Sequence, residues 1–224
     1  MRPLFRELSR LRRKRVFHPF GVGFRGQLTA VADGAGAQAF ATASEPQVRL
    51  SRSFGLPEWL PDPCGLAFRI PDVYGPGRHQ DLLLVSSGEG RGTRHTLLPS
   101  RGFCDRPYSS VLPYHLHGET VMLGARALAP APGPKLADLR ERREGGLAFE
   151  ILLARGEAEW APIARLTLGE RLPPEQTERL GLDPTNTGGG LELVGWLNRV
   201  RGPAYRASQE GREQAYSQES WSNR

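Results

Sequence analysis

Apolar and polar residues alternate along this chain in short runs rather than in long helical stripes. Gly23–Ala32, Ala37–Ala43, Gln47–Ser51, Gly65–Ile70 and Asp81–Ser86 are strand-like runs bounded by Gly or Pro. A loop-rich stretch from Ser87 to Glu119 holds Pro99, Pro107 and Pro113. Three more strands are predicted at Thr120–Leu128, Gly146–Leu153 and Trp160–Leu168. About eight strands with few helices between them predict an antiparallel barrel or sandwich, a mainly β protein of the α+β class. Helices are predicted at the margins. Residues 3–15 place Leu4, Leu8 and Leu11 on one face and end in Arg12, Arg13, Lys14 and Arg15. Pro173–Leu180 is a brief helix, and a last one begins near Pro203, since Pro is tolerated in a first helical turn. The polar chain beyond Gln214 is expected to fray.

Composition adds a few constraints. The chain has 224 residues, enough for a substantial core, with 27 Gly and 19 Pro that suit short strands and loops. Its net charge of +6 rests almost entirely on arginine, Lys14 and Lys135 being the only lysines. That skew is weak evidence for nucleic-acid binding, and none is expected; the planar arginine fork suits carboxylates. Cys64 and Cys104 make neither a disulfide framework nor a four-cysteine zinc site. No apolar run of about 20 residues could span a membrane, and the basic N-terminus lacks a signal-peptide core. A cytoplasmic protein is expected.

The candidate chemistry starts in the last predicted helix. Arg201 and Tyr205 are four apart and Arg212 lies seven beyond Tyr205, so the three share a helix face. A neighbouring guanidinium favours the phenolate, a hard ligand for ferric iron. An Arg-x-x-x-Tyr pair alone is more often a surface contact. Near the start, His18 follows Arg15-Val16-Phe17 and emerges from a loop into the first strand. Arg49 and Ser51 share one face of a later strand by its period of two.

These segments fall in the order of a known pattern. Arg15-Val16-Phe17-His18 resembles the Arg-Val-Val-His segment of the catalase superfamily. Val48-Arg49-Leu50-Ser51 resembles its Val-Arg-Phe-Ser strand, and Asp62-Pro63-Cys64-Gly65-Leu66-Ala67 its Asp-Pro-Arg-Gly-Phe-Ala turn. Leu180-Gly181-Leu182-Asp183-Pro184-Thr185-Asn186 is similar to its Phe-Asp-Pro-Ser-Asn loop, and Arg201-Gly202-Pro203-Ala204-Tyr205 to its Arg-x-x-x-Tyr ligand motif. The resemblance runs from about Arg15 to Arg212. It implies an eight-stranded catalase-like barrel over residues 16–212, after an N-terminal helix over 1–15 and before a polar tail over 213–224.

The resemblance also implies haem b as cofactor, with ferric iron. Tyr205 would ligate the iron, with Arg201 holding it ionised. Arg15, Arg49 and Arg212 would pair with the propionates. His18 would shuttle protons over the distal face, oriented by Ser51. Partners would be hydrogen peroxide or an organic peroxide and a small organic reductant, and loss of the family's wrapping arms suggests a homodimer.

One departure bears on activity. The family's Asp-Leu-Val-Gly-Asn-Asn run, which holds a distal Asn, is here Asp81-Leu82-Leu83-Leu84-Val85-Ser86. Ser86 or Ser87 is expected in place of the amide, which favours peroxidase turnover over strong dismutation. A weak catalase, an isomerase of organic hydroperoxides, a non-catalytic haem sensor or carrier, and a barrel that has lost haem are the other readings. Two further clusters are minor. His115, His117 and Glu119 share one side of an extended segment and could bind a metal, although a polar loop is the commoner reading. Gly88–Gly92 lacks a phosphate-loop lysine and is read as a flexible loop.

Overall fold

The structure is a computed structural model that describes residues 20–31 and 38–194. Its strands are β1 (Phe20–Ala30), β2 (Gln47–Arg52), β3 (Cys64–Ile70), β4 (Gln80–Ser86), β5 (Tyr108–Ser109), β6 (Tyr114–Leu116), β7 (Glu119–Ala127), β8 (Ala148–Arg155), β9 (Ala161–Arg171) and β10 (Leu191–Leu193). Antiparallel pairing runs β1-β2-β3-β4-β5-β7-β8-β9, and β9 pairs back onto β1. These eight strands close a barrel, which leaves no open sheet edge among them. β6 and β10 form a short flap on β7. Three short helices flank the barrel: α1 (Gln38–Ala41), α2 (Leu136–Glu141) and α3 (Pro174–Arg179).

Two strand expectations change. Ala37–Ala43 was expected as a strand, yet Gln38–Ala41 is helical. Its alternation comes mostly from alanine, a strong helix former, and a single turn suffices to bury Ala39 and Phe40. The loop-rich stretch holds β5 and β6 instead. β5 is only two residues long, yet it bridges β4 to β7 and so closes the barrel.

The core is built by alternation. In register across β1 to β4, Val22, Leu50, Leu66 and Leu84 form one inward row. Phe24, Val48, Phe68 and Leu82 form the next, and all eight are buried. Phe40 meets Phe68 edge-on at 6.5 Å, and Tyr108 meets Phe149 likewise at 6.0 Å. A shift of register between Phe24 and Gly26 bends β1 against β9, as closure of a small barrel requires. A Cβ on Gly26 would lie 2.8 Å from Val48 Cγ2, so the bend needs glycine.

Phe68 is fully buried and meets Phe40 edge-on. Phe68→Ala is expected to lower stability by about 3–5 kcal/mol, read as a fall in the urea midpoint with little change in slope.

Candidate functional site

Residues that do not point into the barrel on β1 to β4 make an outward face, and pairing fixes its rows. Gly21, Ser51, Gly65 and Val85 form one row. Gly23, Arg49, Ala67 and Leu83 form the next, and Arg25, Gln47, Arg69 and Asp81 the third. At roughly 4.8 Å per strand, the first row is a flat strip about 14 Å wide with no side chain larger than valine. Arg49 and Ser51 are 3% and 2% exposed, although both lie outside the core. The Arg49 side chain crosses to β1, where a Cβ on Gly21 would come within 2.6 Å of its Cζ. Glycine at 21 is thus the condition for the guanidinium to lie flat on the sheet. On the next row, α3 covers Gly23, whose Cβ would lie 2.5 Å from Thr177 Oγ1.

Two buried ion pairs frame this floor. The Asp81 carboxylate is wholly buried and accepts from Arg69 Nε at 2.7 Å and Nη2 at 2.6 Å. It also accepts from the Asp183 amide at 2.8 Å and Asn186 Nδ2 at 2.9 Å. Arg69 donates onward to the Gly181 carbonyl at 2.7 Å. The segment 181–186 is therefore clamped to the outward face through one carboxylate. At the end of β2, Arg52 Nε lies 3.6 Å from the buried Asp62 carboxylate. That carboxylate accepts from the Phe54 and Leu56 amides, each at 3.0 Å, and so shapes the loop after Ser51.

Of the residues expected at the site, the structure brings Arg49 and Ser51 onto one face. Ser86 is elsewhere. It points into the barrel, where its hydroxyl donates to the Leu98 carbonyl at 2.6 Å and accepts from the Cys64 amide at 2.9 Å. Val85 holds the outward position in the Ser51 row. Ser87 Oγ donates to the Gly88 carbonyl. Arg15, His18, Arg201, Tyr205 and Arg212 lie outside the described residues. Arg69, Asp81 and Asp62 were not expected as organisers. Cross-strand pairing with a distant loop reveals them, and local sequence does not.

His115, His117 and Glu119 do not gather. His117 and Gly118 form a two-residue hairpin turn with φ of 51° and 87°, which breaks the extended run. Among the described residues no three His, Cys, Asp or Glu side chains form a metal-binding group.

Comparison with known proteins follows this geometry. No family model and no curated protein matches the sequence. Among solved structures, a bacterial catalase aligns with TM-score 0.66 at 14% identity, covering 93% of this chain and 60% of that one. A fungal catalase aligns with TM-score 0.67 at 12% identity, covering 93% and 62%. Catalase A from Saccharomyces cerevisiae aligns with TM-score 0.61 at 12% identity, covering 95% and 63%. The barrel has a catalase-like fold. This chain spans less than two thirds of each of those catalases. No helix among the described residues of the catalase-like barrel is long and apolar enough to cross a membrane.

Asp81→Asn removes the charge that faces Arg69 and weakens the hold on 181–186. A loss of about 1–3 kcal/mol is expected in urea unfolding, because the Arg69 guanidinium, 20% exposed, loses its charged partner while solvent offsets part of the cost. Burial pushes the Cys64 thiol from 9.0 up to about 12. The thiol is then neutral in the folded barrel while the unfolded chain ionises near its ordinary value. The stability this confers is complete below pH 9 and declines as pH rises toward 12. Cys64→Ala is expected to flatten the fall in urea midpoint between pH 9 and 11.

Proposed function

We propose that the chain is a haem-dependent peroxidase that acts on peroxides, with organic peroxides preferred. The outward face of β1 to β4 carries this reading. It joins a strip of small residues to a buried guanidinium, the combination a flat macrocycle with carboxylate side groups requires. The fit can be judged from the glycines: at Gly21 a Cβ would displace Arg49, and the row to Gly65 leaves no bulk on the floor. Haem, when bound, supplies iron chemistry that cleaves the peroxide oxygen–oxygen bond.

The chain's own residues do the rest. Arg49 holds a propionate by charge-assisted hydrogen bonds, with Arg15 and Arg212 as the further partners that the resemblance implies. Tyr205 offers the phenolate ligand, and Arg201, four residues before it in the sequence, favours the ionised form. His18 stands three residues before Gly21 in the sequence and is the proton shuttle that the resemblance implies. Ser51, paired with Gly21 in the floor's first row, accepts a hydrogen bond from one imidazole nitrogen and fixes the tautomer. The other nitrogen takes the peroxide's proton and returns it to the departing oxygen.

Val85 and Leu83 favour organic peroxides. Both are half-buried apolar groups on the floor, and an alkyl substituent would lose water against them. The same observation favours a second reading, isomerisation of an organic hydroperoxide, which consumes no reductant.

Haemin added to the purified protein is expected to give a ferric tyrosinate absorbance spectrum that Tyr205→Phe abolishes. In the haem-loaded protein, His18→Ala is expected to lower kcat/KM for cumene hydroperoxide by about 10²–10⁴-fold. No spectral change with haemin would overturn the proposal. A spectrum without peroxide turnover would leave a haem carrier, and turnover without reductant consumption would leave the isomerase.

A further inference from the structure

A cavity of about 360 Å³ opens at the start of β1, beside Gly21. Its volume lies in the range of small-molecule sites. The inner wall is apolar, made by Phe20, Val22 and Leu172, with Pro174 at one side. Three charged side chains stand around it: Arg140 of α2, Arg171 at the end of β9 and Glu178 of α3. Arg140 stacks over the Phe20 ring at 5.9 Å from its centroid, which fixes one guanidinium against the apolar wall. Neither Arg140 nor Arg171 has a carboxylate partner among the described residues, whereas Arg52, Arg69, Arg126 and Arg155 are all paired with acids.

From this arrangement we infer that the cavity binds a small organic carboxylate, with Arg140 and Arg171 gripping the head group and the Phe20–Leu172 wall taking an alkyl tail. Among the described residues two guanidiniums and one carboxylate line the cavity, an excess of positive side chains that suits an anionic head group. An alkyl tail gains by leaving water against the half-buried Phe20 and the exposed Pro174, which keep accessible apolar surface at the cavity. A purely inorganic anion would gain nothing from that wall. The site adjoins the proposed haem floor at Gly21, but the inference does not rest on haem binding.

Octanoate is the probe, titrated calorimetrically into the purified full-length chain without added haemin. Saturable binding is expected, weakened about five- to tenfold by Arg171→Gln and further by adding Arg140→Gln. Arg171 and Arg140 are exposed, so both variants keep the fold, as a far-UV dichroism spectrum checks. Octanol should bind at least tenfold more weakly, octyl phosphate no more tightly, and affinity for octanoate should fall as salt rises. Failure of octanoate to bind, or equal binding by wild type and double variant, would overturn the inference. Tenfold tighter binding of octyl phosphate would overturn the choice of a carboxylate. Since the titration involves no haemin, its outcome is separate from that of the haem spectrum.

Discussion

A side chain on β1 to β4 has two places to go, into the barrel or onto its outer face, and cross-strand register ties the choice at one residue to the choice at all its neighbours. Once Val22, Leu50, Leu66 and Leu84 are buried as one inward row, Gly21, Ser51, Gly65 and Val85 must lie together outside. A one-residue slip of β2 would drive Arg49 into the apolar interior and leave Leu50 on the floor. Burial of the eight inward residues of these four strands therefore fixes the composition of the outer face.

The outer face in turn depends on charges that are paired where they are buried. Asp81 accepts from Arg69 and from two groups of the 181–186 segment, so a single carboxylate joins strand pairing to a loop a hundred residues away. Asp62 does the same for the loop after β2. Such buried pairs add little to net stability compared with apolar replacements, and their value is in fixing one geometry. Asp62 sets the loop that follows Ser51, and Asp81 sets the 181–186 segment beside the row of Gln47 and Arg69.

How much of this could be read in the sequence differs by residue. The strands β1 to β3 stand out because bulky apolar residues alternate with Gly, Ser and Arg, β4 stands out as the apolar run Leu82–Val85, and the shared face of Arg49 and Ser51 follows from the period of two. Residues 38–41 misled because alternating alanine carries no preference for a strand. β5 was hidden because two residues cannot show a period, and its strand state comes wholly from its neighbours. The position opposite Gly65 was misjudged for a sharper reason: Ser86 and Val85 are adjacent, and only register decides which one faces out. Ser86 is polar and yet faces inward, where a carbonyl and an amide satisfy its hydroxyl. The Asp81 and Asp62 hubs rest on long-range partners that no local pattern announces.

The central claim is that the outward face of β1 to β4 is a haem floor. Ala67 lies in its second row, half-buried and free of the core. Haemin titration of Ala67→Trp, followed by absorbance and compared with Thr120→Trp on the opposite half of the barrel, tests it most directly. The indole at 67 is expected to block haemin uptake, while the one at 120 leaves it unchanged. Haemin binding to Ala67→Trp with wild-type affinity would contradict the account.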